Sequence, residues 1–335
     1  MLVSELGEFG IIAHINAQIK RENLPLAPIW DNVIIAIGDD TAVIRNTKEW
    51  ELATTDCLVQ NVHFNLETIT WEELGWKAIA VNLSDIGAMG GIPRYALISL
   101  TIPPATTVAN ITELYNGMIT IANEFGVAII GGNIAAASYL AIHVTLLGTS
   151  LNKKVLTRAA AKPGDLIGLT GYTGISAAGL AMLNGKLSFE PATIQMLRQA
   201  HLKPIPRIRE GQLLNSLGIT TAIDISDGLI ADLTHICETS KVSAVIKEAA
   251  LPVHPVLKEE FTKSCMNLIL SGGEDYELLF TATSARMTRA LQMLQGKITV
   301  IGKITDQQAN PVTIVTPDGK SKRLIHPGWD HFKPK

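Results

Sequence analysis

Cysteine is scarce: Cys57, Cys237 and Cys265 are the only three in 335 residues, and no two form a C-x-x-C pair. That argues against a disulfide framework or a cysteine zinc site and fits a reducing cytoplasm. Charge is sparse too, at 18% of residues against 47% hydrophobic, so a compact globular chain without a disordered tail is expected. A net charge of -3 supplies no basic field, which argues against nucleic acid as a partner. The opening MLVSELGEFG has no basic n-region, so a signal peptide is not expected. No Asp, Glu, Lys or Arg lies between Glu124 and Lys153, which raises the question of a membrane span. Gly131-Gly132-Asn133 interrupts that run, and YLAIHVTLLG is rich in strand formers, so two buried strands joined by a turn are expected, and no membrane. Also missing are G-x-x-x-x-G-K-[ST], H-R-D and D-F-G, so any ATP chemistry belongs to neither the P-loop nor the protein-kinase type.

What is present is a mixture of strand and helix signals. NVIIAIG, TAVIRN and ELATTDCLV read as successive strands joined by short polar turns. Thr70, with Glu73 three residues on, is a capping-box signature for a helix ending near Gly90. The strand YALISLTI follows and stops at Pro103-Pro104; a helix near 111–125 leads to the strand GVAII. Lys162-Pro163-Gly164-Asp165 is a turn at a domain boundary, opening the strand DLIGLTG. The pattern predicts a mixed α+β fold of two domains, 1–150 and 151–335.

Against this apolar background the carboxylates stand out. TAIDISDGLIADL holds Asp224, Ser226, Asp227 and Asp232; VNLSDIGAMG repeats the Ser-Asp at Asp85; AIGDDTAV adds Asp39 and Asp40. In TTDCLV, strand alternation puts Thr54 and Asp56 on one face and Thr55 on the other. Asp85 falls in the last turns of the capped helix, on the side of Lys77 and Val81. Asp224 and Ser226 are assigned to one strand face, with Asp227 starting the next helix. Two carboxylates about 4 Å apart repel by roughly 4 kcal/mol at an effective dielectric near 20. If these groups converge, an all-oxygen Asp/Thr set suits magnesium, which usually accompanies phosphate. The glycine turns TGYTG, IGGN and SGGED offer backbone N–H groups to phosphate oxygens.

Taken singly, most of these residues have ordinary structural explanations. Asp227 alone is a helix N-cap, Asp39-Asp40 a hairpin turn, Glu274 and Asp275 part of a turn. Asp232 reads as a solvated helix-face residue, His63 as a satisfied semi-buried histidine, Arg158 and Lys162 as surface charge. Asp85 fits such a role less well, because a carboxylate near a helix C-terminus opposes the dipole.

In order along the chain, IGDDTAVI, TTDCLVQNVHF, WKAIAVNLSDIGAMGGIP, LTRAAAKPGD, AIDISDGLIADL, SGGEDYELLF and GWDHF resemble the thiamine-monophosphate kinase family. The Ser-Asp and Gly-Asp-Asp elements recur in a wider superfamily with aminoimidazole ribonucleotide synthetase and selenophosphate synthetase; the full combination is specific. The resemblance implies an N-terminal domain that binds ATP and metal and dimerises through a shared β-barrel, and a C-terminal α+β domain. It implies ATP-dependent phosphorylation of thiamine monophosphate to thiamine diphosphate by a homodimer, with several Mg2+ ions. Carried over by position, Asp40, Thr54, Thr55, Asp56, Asp85, Asp224 and Asp227 fall at metal-binding positions, and Gly132, Arg158 and Ser226 at ATP-binding ones. His63, Glu274 and Trp329 fall at positions facing the thiamine substrate. The acceptor is itself a phosphate, so no general base is expected, and catalysis reduces to in-line positioning and charge neutralisation.

The chain departs from the family pattern at Asn133, where a metal-binding Asp is usual, and at Ala159, where Ser is frequent. An amide keeps one carbonyl ligand and loses the anion, so one magnesium is held more weakly. Three readings stay open at this point: an enzyme that tolerates Asn133, a paralogue using ATP on another small molecule, and a nucleotide-binding protein with little turnover.

Overall fold

The computed structural model describes residues 14–21, 30–31, 33–35, 43–44, 49–150, 152–185, 189–322 and 328. Asp39, Asp40 and Trp329 lie outside the described residues. Two compact units divide the chain: Met1–Ile86 with Ile92–Lys153, and Gly87–Gly91 with Lys154–Lys335.

In the N-terminal unit, the short strands β1 (Val33–Ile35) and β2 (Val43–Ile44) pair antiparallel. A four-stranded sheet follows, in the order β3 (Glu51–Val59), β6 (Ala141–Thr149), β4 (Ile92–Ile102), β5 (Ala128–Ala136). β5 and β6 account for the uncharged run, and among the described residues no helix is long and apolar enough to cross a membrane. Two eighteen-residue helices, α1 (Trp71–Ala88), as far as Ile86, and α2 (Val108–Phe125), belong to this unit. The capping box at the start of α1 is formed: the Glu73 carboxylate accepts from the Thr70 N–H at 2.9 Å, and the Thr70 hydroxyl accepts from the Glu73 N–H at 3.2 Å. Gly126, in the left-handed conformation, closes α2 and returns the chain to β5, which runs parallel to β4. Leu74, Ile79, Leu83, Ile98, Leu100, Leu114 and Ile142 are fully buried in this unit, so both helices and the sheet share its apolar interior.

The C-terminal unit is built on a seven-stranded sheet in the order β13-β12-β9-β11-β7-β10-β8. Its strands are β7 (Leu166–Thr170), β8 (Thr221–Asp224), β9 (Ser243–Lys247), β10 (Leu278–Ala282), β11 (Ile298–Thr305), β12 (Val312–Val315) and β13 (Ser321–Lys322). Every pairing is antiparallel except β12 with β9. Helices α3 (Ile175–Asn184), α4 (Pro191–Leu202), α5 (Ile208–Ser216), α6 (Leu229–Ser240), α7 (Pro255–Glu260), α8 (Cys265–Ser271) and α9 (Ser284–Met293) complete it. Two apolar clusters flank the sheet, one around Leu169, Ile223, Leu233 and Ile246, the other around Leu214, Ala222, Phe280 and Met287. Alternation along β8 and β10 therefore sends side chains into both clusters, which is why these strands read as continuous apolar runs. The whole is mixed α+β in two units, and the described residues of the N-terminal unit form an open four-stranded sheet.

Candidate functional site

In the N-terminal unit the candidate residues Thr54, Asp56 and Asp85 come together where β3 faces the end of α1. The Thr54 hydroxyl donates to Asp85 Oδ2 at 2.5 Å. Asp56, two residues along the same strand face, crowds the same carboxylate and is pushed up to about 6 by burial, by the charge of Asp85 and by a hydrogen bond between the two carboxyl groups. Asn82, one turn before Asp85, accepts the Asp56 backbone N–H at 3.1 Å and fixes the strand against the helix. Lys77, two turns before Asp85 on the same helix, is buried at 1% exposure.

The remaining N-terminal candidates are placed elsewhere in the unit. Thr55 points to the other face, donating to the Val144 carbonyl at 3.0 Å and accepting from Thr145 at 3.2 Å. His63, half-buried just past β3, accepts the Val59 N–H on Nδ1 at 3.0 Å. Asn133 is exposed on β5, opposite Ser99 of β4. Gly132 precedes it where β5 runs so close to the Ile98 carbonyl that a Cβ would collide with that oxygen.

In the C-terminal unit the acids cluster at the β8 end of the sheet. Asp224 ends β8 and is 3% exposed. Ser226 and Asp227 lie in the bend beyond it, and α6 begins only at Leu229 with Gly228 as N-cap, which corrects the expectation that Ser226 shares the strand and Asp227 starts the helix. The reason is Asp232: its Oδ2 accepts the backbone N–H groups of Ser226 at 3.2 Å, Asp227 at 3.2 Å and Gly228 at 3.1 Å, closing the bend into a loop. Asp232 is 2% exposed, which overturns its reading as a solvated face residue. Burial first, then the charges of Asp224 and Asp227, push its carboxyl up to about 8 against the pull of the amide donors. Ligand atoms of Asp227, Asp232 and His235 lie within 4.8 Å of one another, an arrangement that can hold a metal.

The SGGED turn packs on this loop. The Glu274 N–H donates to the Ser226 carbonyl at 2.8 Å and the Tyr276 N–H to the Ile225 carbonyl at 2.9 Å. A Cβ at Gly273 would press on the Ser226 carbonyl, so only glycine allows this approach. Glu274 and Tyr276 adopt left-handed backbone, at φ 62° and 52°, a conformation that costs a non-glycine residue about 1–3 kcal/mol. What holds the turn there is Asp275 between them, whose oxygens accept from Gly174 N at 2.6 Å and Ser176 N at 3.1 Å at the start of α3. Burial pushes Asp275 up to about 8, against the two amides. Those amides, and Gly171 N, which donates to the Lys297 carbonyl, are engaged inside the protein, so the expected phosphate cradle at TGYTG is not offered by them. Glu277 closes the turn from below, clasped by Arg207 at 2.7 and 2.5 Å and by the Thr170 hydroxyl at 2.6 Å. Arg158 is exposed, and its carbonyl accepts from Ser240 at 2.8 Å.

The donor sets of Thr54, Asp56 and Asp85 and of Asp224 and Asp227 are wholly oxygen, and the upward shift of Asp56 marks carboxylates crowded enough to gain from a divalent cation. They fit magnesium. The sequence motifs did not single out Asn82 and His235, and Asp232 and Asp275 carry more than the helix-face and turn roles read for them.

The fold and these acids define the class. The chain matches the family models for AIR synthase related protein, N-terminal domain, over residues 38–150, and C-terminal domain, over residues 162–315. Within that class, thiamine-monophosphate kinase of Haemophilus influenzae is 37% identical over 336 residues, covering 98% of both chains. That of Aquifex aeolicus is 35% identical over 336 residues, covering 99% of this chain and 100% of the relative. The crystal structure of thiamine-monophosphate kinase from Stenotrophomonas maltophilia superposes with a TM-score of 0.80 at 32% identity, covering 91% of this chain and 95% of that one. A structure described as AaThiL complexed with AMPPCP and TMP gives 0.76 at 35% identity, covering 99% of each. The chain belongs to the thiamine-monophosphate kinase family, a family of phosphotransferases. Hydrogenase maturation protein HypE, at 21% identity and a TM-score of 0.70, shares the fold.

Proposed function

We propose that this protein transfers the γ-phosphoryl group of ATP to the phosphate of thiamine monophosphate, giving thiamine diphosphate and ADP. The bond from the γ-phosphorus to the β–γ bridging oxygen breaks, and a bond from that phosphorus to an acceptor phosphate oxygen forms. What carries this reading is the near end-to-end likeness to a structure complexed with AMPPCP and TMP.

The acceptor oxygen is already anionic near neutral pH, so no side chain is required to remove a proton, and the protein's task is positioning and charge management. In the N-terminal unit, Asp56, Asp85, Thr54 and Asp40 would hold magnesium, with Asn133 as a weak neutral ligand; Thr55, turned to the other face of β3, would not join them through its hydroxyl. In the C-terminal unit, Asp224 and Asp227 would do so. Magnesium, when bound, neutralises phosphate charge and supports in-line displacement. Gly132, Arg158 and Ser226 contact ATP in this reading; His63, Glu274 and Trp329 face the thiamine moiety, where an aromatic ring on a permanent cation contributes about 0.5–2 kcal/mol. Asp232 sets the conformation of the loop carrying Ser226 and Asp227 through its three amide bonds. Residues 1–150 serve ATP, metal and dimerisation, residues 151–335 form the second domain, and the enzyme acts as a cytoplasmic homodimer through a barrel completed by two copies.

A coupled assay of ADP release with thiamine monophosphate, ATP and magnesium tests the proposal, with thiamine diphosphate identified as product. ATP binding without product at saturating magnesium would sink it.

A further inference from the structure

Glu274 is held on three sides, and two of them are accounted for above: its own N–H on the Ser226 carbonyl and the neighbouring Asp275 on the start of α3. The third is a histidine. His201 Nδ1, near the end of α4, lies 3.5 Å from Glu274 Oε2 and 3.0 Å from the Ser176 hydroxyl oxygen. His201 is 4% exposed and Ser176 is 1% exposed, whereas the Glu274 side chain keeps 28% of its surface. The buried pair therefore backs a carboxylate that is itself partly open. The ring is in turn fixed by the crossing of α3 and α4: a Cβ on Gly179 would lie 3.0 Å from the His201 Cβ and press on the Leu197 carbonyl.

One ring nitrogen faces two oxygens, and this decides the useful protonation. With the proton on Nδ1, the ring donates to the Ser176 oxygen at 3.0 Å and turns the positive edge of the same N–H to Glu274 Oε2 at 3.5 Å. With the lone pair on Nδ1, the Ser176 hydroxyl donates to the ring and the carboxylate meets like charge density. In the second arrangement the ring gives Glu274 no hold. In the first, its carboxylate is restrained at one oxygen by the ring, on a backbone already fixed in the left-handed region.

We propose that His201 is a positioning residue for the phosphate acceptor: through Nδ1 it orients the Glu274 carboxylate toward the cationic organic moiety of that substrate. This rests on the reading that Glu274 faces the acceptor. A carboxylate that must find its orientation on binding loses affinity for the cation, while ATP, which this contact does not touch, is unaffected.

Steady-state kinetics with thiamine monophosphate and ATP varied independently tests it, with folding checked by thermal melts. His201→Leu is expected to raise KM for thiamine monophosphate by roughly threefold to tenfold, the size of effect for a lost polar contact to a carboxylate, with KM for ATP unchanged and kcat within about twofold. His201→Asn, whose amide nitrogen sits near the Nδ1 position, recovers most of that loss; it is also the variant that decides the matter if His201→Leu does not fold. Glu274→Gln is expected to raise the same KM, and the double variant to add nothing further. If Glu274→Gln raises KM for thiamine monophosphate while neither His201 variant does, the positioning role is overturned and the Glu274 reading stands. A His201→Leu variant that weakens both substrates equally overturns it as a general packing effect. If Glu274→Gln leaves KM for thiamine monophosphate unchanged, or the parent does not turn this substrate over, both readings fall.

Discussion

The acids of the two units meet their surroundings differently. In the N-terminal unit, Asp56 and Asp85 press against each other at the meeting of β3 and α1, where the Thr54 hydroxyl donates to Asp85 and the two carboxyl groups share a hydrogen bond. In the C-terminal unit, Asp232 is buried and takes three backbone amides, and Asp275 takes two more at a helix start. A carboxylate that gathers amides shapes the chain; a carboxylate crowded by another carboxylate gains from added positive charge. Removing the first kind is felt in folding, and removing the second kind in chemistry.

The strongest break of that contrast is Asp85→Asn. The amide keeps an oxygen for the Thr54 hydroxyl but loses the charge, so kcat is expected to fall about 10²–10³-fold, the scale on which single transition-state charge contacts act, with the urea midpoint little changed. Turnover at the parent level would place Asp85 with the chain-shaping acids instead. Next in size is Asp232→Ala, which orphans the amides of Ser226, Asp227 and Gly228. Leaving buried donors unsatisfied costs about 1–3 kcal/mol, read as a lowered urea midpoint at unchanged slope. A variant as stable as the parent would show that the loop holds without its acceptor.

Much of this contrast was readable from sequence on one side and little on the other. Strand alternation was enough to align Thr54 with Asp56, and the Thr70–Glu73 box fixed the start of α1 and hence the turn that carries Asp85. Both are local rules acting over a few residues. Asp232 obeys helical spacing on the face of α6, and nothing within α6 itself tells that its oxygen turns back to three amides upstream. Asp275 and His201 are more remote still, bonding across 101, 99 and 25 residues to Gly174 and Ser176. The left-handed backbone at Glu274 and Tyr276 follows from those distant bonds, since neither residue favours it alone. The glycine turns show the same limit: TGYTG has the composition of a phosphate cradle, yet tertiary acceptors take the amides of Gly171, Gly174 and Ser176.

The smallest effect bears most directly on the idea of crowding. Asp56, ordinarily near 3.8, is pushed up to about 6 by burial and by Asp85. An acid whose folded value lies above its unfolded one costs the fold nothing below about 4; the cost grows as pH rises toward about 6 and is complete above it. Solvent reaches Asp56, so screening keeps that cost below about 1 kcal/mol. Asp56→Asn removes the charge and should melt slightly higher than the parent near pH 7 in low salt, with the two melting together near pH 4. Added magnesium should raise the parent more than the variant and so narrow the gap, because the cation relieves a repulsion that the variant no longer has. Parity of the two melts at neutral pH without magnesium would mean that Asp56 and Asp85 are not in conflict. The distinction between crowded and shaping carboxylates would then have no energetic basis.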